Sequence, residues 1–143
     1  MKTNKTIFLI DDDKDDQQFF LKSISEIDNT IHCDFANNGK DALEKLNTLA
    51  SAPDMIFLDI NMPLMNGFEC LTELRKQDRF IDTPIVILTT SKANTEVQNA
   101  RVLGANVFLT KPHSLLTLQT KLEKVISDFL MRDNKISHDF FMA

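Results

Sequence analysis

The chain contains four short apolar, β-branched runs that each end in a charged or hydroxyl-bearing side chain. These end residues are, in chain order, Asp11-Asp12-Asp13, Asp59, Thr89 and Thr110-Lys111. Short runs that are apolar on both faces are typical of buried parallel strands. In open α/β sheets, ligands bind at the carboxyl ends of such strands. The sequence therefore predicts a single pocket that contains carboxylates, a hydroxyl group and an ammonium group.

Strand and helix patterns alternate along the chain. Strands are predicted at residues 6–10, 31–36, 55–58, 85–89 and 106–109. Helices are predicted at residues 15–28, 40–50, 68–77, 94–104 and from 114 onward. Phe19 and Leu115 belong to the apolar helix stripes, and Asn94 and Ser114 are predicted N-caps. The pattern predicts an α/β fold of flavodoxin-like type, in which a five-stranded parallel sheet forms a doubly wound, three-layer (βα)5 sandwich.

Length and composition limit the classes of function. The 143 residues are predicted to form one domain at 5–131 and a short tail at 132–143, with no output domain. Fraying is the default expectation for the tail, and docking of Phe140-Phe141-Met142 on the body or on a partner is the alternative. A net charge of −5 argues against direct nucleic-acid binding, which relies on clustered Lys and Arg. No apolar stretch has the length of a membrane span or of a signal-peptide core. Cys33 and Cys70 lack metal-binding spacing, so free thiols in a reducing, cytoplasmic setting are expected.

The predicted pocket has the chemistry of a magnesium site. Neighbouring carboxylates repel each other unless a cation shares the site, and oxygen ligands without nearby Cys or His favour Mg²⁺. Asp12 and Asp59 are the predicted ligands, with Asp11 acting through water. Lys111 would add a second positive charge and Thr89 a hydrogen bond, an arrangement suited to phosphoryl transfer. Asp59 is then the predicted nucleophile, because carboxylates can form aspartyl phosphates.

Taken together, these residues resemble the receiver domain of two-component response regulators. The resemblance covers the chain from Lys5 to Met131 and includes Met62-Pro63, Gly67 and Gly104-Ala105. It implies that Asp59 accepts phosphate from a sensor histidine kinase or a histidine phosphotransfer protein. It also implies that Asp12, Asp59 and the Asn61 carbonyl bind Mg²⁺, with Asp11 acting through water. Thr89 and Lys111 would contact the phosphoryl group. The Lys111–Pro112 peptide is expected to be cis. By this resemblance the chain catalyses only its own phosphorylation and dephosphorylation and is not otherwise an enzyme.

The resemblance also implies a conformational switch. Thr89 would move toward the phosphate, and Phe108 would swing inward behind it; a purely structural core role for Phe108 is the alternative. The fourth helix, fifth strand and fifth helix would form the face that binds a downstream protein or a second copy of the chain. The sequence is similar to stand-alone receivers, in particular those of phytochrome-type kinases. Such proteins act as adaptors or pass phosphate on in a phosphorelay.

Two other classes of function stay open at this point. Asp11-x-Asp13 imitates the first motif of Mg²⁺-dependent hydrolases of the haloacid dehalogenase type, in which Asp11 would be the nucleophile. However, Asp15 stands where that motif has Thr or Val, and the chain is too short for a cap insertion. The other class is a degenerate receiver that serves as a non-phosphorylated binding scaffold. The complete set of site residues argues against a scaffold.

Overall fold

The computed structural model of the protein describes residues 4–130 and 141–142. Its elements are β1 (Thr6–Ile10), α1 (Lys14–Ile27), β2 (His32–Ala36), α2 (Gly39–Thr48), β3 (Met55–Leu58), α3 (Gly67–Arg75), a 3₁₀ turn (Asp78–Phe80), β4 (Ile85–Thr89), α4 (Asn94–Val102), β5 (Val107–Thr110), α5 (Leu115–Leu130) and β6 (Phe141–Met142). The five predicted βα units are confirmed. Strands β1, β3 and β4 have the bounds expected from their apolar runs.

The strands form one parallel sheet in the order β2-β1-β3-β4-β5-β6. The chain runs outward from β1 to β2 and then forms β3 on the other side of β1. The strand order therefore reverses between β1 and β3, and the crevice at such a point is the usual ligand site of a doubly wound sheet. Ile10 and Leu58 are register partners, and the Asp59 N–H donates to the Ile10 carbonyl at 2.9 Å. This pairing brings the aspartates that follow β1 next to Asp59.

Two hydrophobic clusters, one on each face of the sheet, produce the three layers. Alternate strand residues point to opposite faces. On one face, strand residues such as Leu9 and Phe57 pack with Phe20 of α1 and Ile126 of α5. On the other face the cluster joins the strands to α2, α3 and α4 through Phe8, Ile56, Phe108, Leu46, Leu71 and Val97. Each fully buried Phe, Leu or Ile contributes about 1.5–3 kcal/mol relative to exposure, so the strands that carry the site are held in a fixed register.

A sixth strand lies beyond the five that the sequence predicts. Strand β6 pairs in parallel with β5, with Phe141 opposite Val107 and Met142 opposite Phe108. The expectation that the end of the chain frays is wrong for these two residues, because the edge of β5 offers backbone groups that a passing segment can pair with. The rest of the predicted tail, residues 132–140 and 143, lies outside the described residues.

The helix starts differ in detail from those predicted. Helix α1 begins at Lys14, one residue early, and the Asp13 side chain caps it by accepting from Asp16 N–H at 3.0 Å. Asn94 is not the N-cap of α4. The cap is Ala93, whose carbonyl accepts from Glu96 N–H at 3.0 Å and so starts the helix one position earlier. The predicted cap of α5 is confirmed, since Ser114 Oγ accepts from Thr117 N–H at 3.3 Å.

Two apolar helix residues that were expected to be buried are substantially exposed. Phe19 is 48% exposed and Leu115 is 41% exposed. Both lie in the first two turns of their helices, next to a cavity of about 230 Å³ that also reaches Lys111. The helices begin at the carboxyl edge of the sheet, so their first turns extend past the strands that would cover them. Within the described ranges, no helix combines the length and apolar character needed to cross a membrane.

Candidate functional site

Asp59 lies at the carboxyl end of β3, in the crevice between β1 and β3. It is only 8% exposed. One carboxylate oxygen, Oδ1, accepts a hydrogen bond from the Asn61 N–H at 3.3 Å. The other, Oδ2, lies 3.7 Å from the Lys111 ammonium. The carboxylate is thus held by the turn that follows it and faces a positive charge.

Asp11 and Lys111 form the ion pair at the base of the site. Lys111 Nζ donates to Asp11 Oδ2 at 2.9 Å and to Asp16 Oδ2 at 2.8 Å. The second Asp11 oxygen accepts from the Asp13 N–H at 3.0 Å. Asp11 is 1% exposed, so both of its oxygens are engaged by protein groups in a buried position. Lys111 therefore touches three carboxylates that come from the ends of β1 and β3 and from the first turn of α1.

The carboxylates also form a group that can hold a cation. Oxygens of Asp11, Asp12 and Asp59 all lie within 4.8 Å of one another. Asp12 is exposed, so it offers its carboxylate from the solvent side of the crevice. Three hard oxygen donors, without His or Cys among them, fit Mg²⁺, which takes one or two carboxylates and keeps several waters. The side chains predicted as metal ligands are thus brought together, and Asn61 follows Asp59 by two residues on the same turn.

Burial and neighbouring charges shift the pKa values of the ionisable groups in this cluster. Burial raises the pKa of Asp59 to about 6, although the positive charge of Lys111 works against this rise. Burial also raises the pKa of Asp11 above its usual range, partly offset by the hydrogen bonds from Asp13 and Lys111. Burial alone would lower the pKa of Lys111, but hydrogen bonds to Asp16 and Asp11 and attraction to Asp59 raise it overall. The site at neutral pH therefore contains a firmly protonated lysine and carboxylates that are costly to ionise.

The peptide bond between Lys111 and Pro112 is trans, so the expected cis bond is not present. The trans form of a residue–proline bond is favoured by about 0.5–1 kcal/mol unless the surroundings select the other isomer. Here the Lys111 N–H bonds to the Thr89 carbonyl at 2.6 Å, and the Lys111 side chain reaches Asp11 with the trans bond in place. The lysine is thus positioned in the site without a cis peptide.

The two predicted switch residues lie behind the crevice and are inaccessible to solvent. Thr89 ends β4 and is 0% exposed, and its hydroxyl oxygen accepts from the Ser91 N–H at 3.4 Å. Phe108 is also 0% exposed and belongs to the hydrophobic cluster shared with α2, α3 and α4. Phe108 is therefore packed inward in this structure. It also pairs through its backbone with β6.

Two polar residues of the site were missed from the sequence. Asp16 is a direct partner of Lys111. Gln17 is buried, and its amide nitrogen donates to the Asp11 carbonyl at 2.6 Å and to Asn37 Oδ1 at 2.8 Å. Their position in the chain could have indicated them, because both residues lie in the first turn of a helix that starts at the edge of the sheet carrying the predicted pocket.

Gly67 closes the loop that follows Asp59. Its N–H donates to the Ile60 carbonyl at 2.8 Å. A Cβ atom at this position would lie 2.3 Å from the Asp59 carbonyl oxygen and 2.7 Å from Ile60 Cα. Only a residue without a side chain fits against this backbone.

Comparison with known proteins gives consistent matches. A family model for the response regulator receiver domain matches residues 7–123. The transcriptional regulatory protein CrdR of Helicobacter pylori is 31% identical over 124 residues, which make up 87% of this chain and 56% of CrdR. Chemotaxis protein CheY1 of the same species is 37% identical over 91 residues, or 64% of this chain and 73% of CheY1. The chain thus spans just over half of the length of CrdR.

Solved structures share the fold. The phosphorylated cyanobacterial phytochrome response regulator RcpA superposes with a TM-score of 0.84 at 26% identity. The superposition covers 90% of this chain and 95% of RcpA.

Proposed function

The chain belongs to the response regulator receiver domain family, and on that premise we propose that Asp59 accepts a phosphoryl group in the presence of Mg²⁺. The donor would be a phosphohistidine of a sensor histidine kinase or of a histidine phosphotransfer protein. The N–P bond of the donor breaks, its electron pair stays on the histidine nitrogen, and an O–P bond forms to the Asp59 carboxylate. Such a transfer depends on positioning and charge neutralisation.

The observation that carries this proposal is the position of Asp59 beside both a lysine and two further carboxylates. Lys111 lies 3.7 Å from Asp59, and oxygens of Asp11 and Asp12 lie within 4.8 Å of an Asp59 oxygen. The Asp59 side chain is 11% exposed, and Lys111 stays beyond hydrogen-bond distance of its carboxylate, which is held by the turn that follows it. It is therefore the carboxylate best placed to react.

The other site residues have supporting roles in this proposal. Asp11, Asp12, Asp59 and the Asn61 carbonyl would hold Mg²⁺, which when bound neutralises phosphoryl oxygens next to Asp59. Lys111 would attract the same oxygens through its ammonium group. Thr89 would donate a hydrogen bond from its hydroxyl to the phosphoryl group.

The geometry favours Asp59 over Asp11 as the nucleophile, and so a receiver over a hydrolase of the haloacid dehalogenase type. Both Asp11 oxygens accept hydrogen bonds, from Asp13 N–H at 3.0 Å and from Lys111 at 2.9 Å. Attack by Asp11 would require one of these bonds to break in a position that is 1% exposed. Asp59 keeps the Lys111 contact as electrostatic attraction only. A scaffold role is disfavoured because it would not need a lysine buried among carboxylates, an arrangement that carries a desolvation penalty.

Phosphorylation would be read by a partner protein on the face formed by α4, β5 and α5, with Phe108 and Thr89 as the switch. The chain would be an adaptor or a phosphorelay member in the cytoplasm. The structural likeness to the phytochrome response regulator RcpA supports a phytochrome-type kinase as the class of donor. Any partner on this face meets β6, which occupies the edge of β5.

The test is phosphorylation by a small phosphodonor. The protein would be incubated with acetyl phosphate and Mg²⁺ and its intact mass measured, alongside Asp59→Asn, Asp11→Asn and the matched control Asp16→Asn. We expect one added phosphoryl group that requires Mg²⁺ and is absent only from Asp59→Asn, with reduced incorporation in Asp11→Asn. Asp16→Asn should still be modified, because Asp16 contacts Lys111 but lies outside the carboxylate group.

Other outcomes decide against the proposal. Phosphate release from the donor that survives Asp59→Asn but is lost in Asp11→Asn would establish the hydrolase instead. If the unmodified protein shows no mass increase and releases no phosphate from the donor, the scaffold function is established.

Dimerisation on the same face has a separate test. The mass in solution would be measured by light scattering with and without beryllofluoride and Mg²⁺. An increase that depends on beryllofluoride supports a dimer formed on phosphorylation, and an unchanged mass at all concentrations contradicts it.

A further inference from the structure

Ser91 connects the two strand ends that carry Thr89 and Lys111. Its N–H donates to Thr89 Oγ1 at 3.4 Å. Its carbonyl accepts from the hydroxyl of Thr110, the last residue of β5, at 3.4 Å. Thr110 directly precedes Lys111. One residue of the β4–α4 loop thus contacts the ends of both β4 and β5.

The Ser91 side chain ties the same loop to α4. Its hydroxyl donates a short hydrogen bond to a carboxylate oxygen of Glu96, in the first turn of α4. The hydroxyl oxygen also accepts from the Ala93 N–H at 3.3 Å. Ser91 and Glu96 are both partly buried, and a hydrogen bond to a carboxylate is stronger than one between neutral groups. The contact therefore anchors the loop more firmly than its backbone bonds alone.

We propose that Glu96 is a positioning residue that acts through Ser91 to hold Thr89 in the position it has before Asp59 is phosphorylated. This inference rests on the proposed function of Asp59. If Thr89 moves toward a phosphoryl group on Asp59, it pulls on Ser91, because the Ser91 N–H is bonded to the Thr89 hydroxyl oxygen. Ser91 can follow only if its bond to Glu96 breaks or if α4 moves with it.

This connection links phosphorylation to the partner face. Helix α4 belongs to that face, so a partner that favours the displaced position of α4 also favours the displaced position of Thr89. By thermodynamic linkage, phosphoryl binding then strengthens partner binding by the same factor by which partner binding strengthens phosphoryl binding. Weakening the Ser91–Glu96 bond lowers the cost of the displaced state even without a partner, and so raises affinity for a phosphoryl mimic.

The experiment compares Mg²⁺ binding with beryllofluoride binding in three variants. Ser91→Ala removes the hydroxyl, Glu96→Gln removes the charge of the acceptor, and Ser91→Thr keeps a hydroxyl at the same place. Glu123→Gln, in an exposed position on α5, is the control for loss of one negative charge. Binding would be followed by isothermal titration, first with Mg²⁺ alone and then with beryllofluoride at saturating Mg²⁺.

We expect Ser91→Ala to bind beryllofluoride about threefold to tenfold more tightly, the range for loss of one hydrogen bond. Glu96→Gln should show a smaller gain in the same direction. Mg²⁺ affinity should stay unchanged in both variants, and Ser91→Thr and Glu123→Gln should behave as the unmodified protein. Thermal unfolding would show that any gain is independent of a general loss of stability.

Three results would overturn the proposed role of the Ser91–Glu96 hydrogen bond. They are unchanged beryllofluoride affinity in Ser91→Ala, weaker beryllofluoride affinity in that variant, or an equal gain in Glu123→Gln. If instead the unmodified protein binds Mg²⁺ but no beryllofluoride, the proposed function of Asp59 fails, which is a different outcome from failure of the Ser91–Glu96 proposal.

Discussion

The ammonium of Lys111 lies 2.9 Å from the carboxylate of Asp11, a residue one hundred positions earlier in the chain. The pair joins the end of β5 to the end of β1 across two intervening strands of the sheet. Asp16 at 2.8 Å and Asp59 at 3.7 Å complete the surroundings of the ammonium. The single positive charge of Lys111 therefore offsets part of the repulsion among three carboxylates at the site.

Replacing Lys111 by Met should destabilise the protein. Removal of one partner of a largely buried ion pair leaves uncompensated charge, and we expect the free energy of unfolding to fall by about 2–4 kcal/mol near neutral pH. Millimolar Mg²⁺ should restore part of the loss, because a cation among Asp11, Asp12 and Asp59 takes over the neutralising role. Urea denaturation with EDTA or with Mg²⁺ measures both effects.

The control for this loss is Lys76→Met. Lys76 pairs with Glu73 at 3.1 Å on the surface, with the two side chains 66% and 46% exposed. Exposed pairs of this kind contribute at most about 1 kcal/mol. A loss in Lys111→Met no larger than in Lys76→Met would contradict the neutralising role.

Asp59→Asn should stabilise the protein at neutral pH. Burial raises the pKa of Asp59 from 3.8 to about 6, a difference that corresponds to about 3 kcal/mol. Since the folded pKa is above the unfolded one, this carboxyl favours folding only while protonated, and the benefit is lost as pH rises from 3.8 through about 6. The amide of Asn has no ionisation cost, so we expect the free energy of unfolding to increase by about 1–3 kcal/mol near pH 7.

The pH profile makes this prediction specific. The gain of Asp59→Asn should shrink as pH falls through about 6 and vanish below the unfolded value of 3.8. Chemical denaturation at several pH values, in EDTA, provides the measurement. Glu26→Gln, in an exposed position on α1, should show no comparable gain. A gain that is independent of pH would mean that Asp59 does not carry the ionisation cost.

Arg75→Met should destabilise the side of the sheet away from the site. The partly buried Arg75 guanidinium donates to the Gly104 carbonyl at 3.0 Å, to the Phe80 carbonyl at 2.7 Å and to Asn106 Oδ1 at 2.9 Å. Loss of three such bonds should lower the free energy of unfolding by about 2–4 kcal/mol. Arg75→Lys should recover less than half of this, because an ammonium lacks the planar fork. Arg101→Met, exposed on α4, is the control.

The two cysteines should be inert in the folded protein. Burial raises the pKa of both Cys33 and Cys70 to about 12, and the thiolate is the reactive form. Near pH 8, alkylation of the native protein by iodoacetamide should be at least about a hundredfold slower than alkylation in urea. Mass spectrometry distinguishes the two positions. Rapid modification of Cys70 under native conditions would show that α3 opens locally.

Much of the fold followed from residue patterns, because the strands are buried on both faces. In a run such as Ile85–Thr89 the only polar residue is the last one, which marks the end of the strand, and parallel pairing then brings every strand end to one edge. The same logic brought Asp11, Asp12 and Asp59 together before any contact was known. The family indicated by those residues is confirmed by the comparison with known proteins. The roles of the individual residues stay predictions that the phosphorylation experiment tests.

Features that depend on tertiary detail could not be predicted in this way. Asp16 meets Lys111 across 95 positions of the chain through the packing of α1 on the sheet, and no spacing rule reports that contact. Strand β6 is two residues long and exists through its pairing with β5, so it has no periodicity of its own. The isomer of the Lys111–Pro112 bond depends on a small energy difference that the sequence does not express.

The contact between Gly67 and the Asp59 carbonyl also limits how this sequence can diverge. In a mutational scan scored for folding alone, Asp59 should accept many replacements, whereas position 67 should accept none, because any Cβ would collide with fixed backbone at 2.3 Å. A copy of this gene that no longer needed the proposed phosphoryl acceptor could therefore replace Asp59 freely and would still keep Gly67. The backbone of the loop constrains position 67, whereas only the proposed phosphoryl transfer constrains position 59.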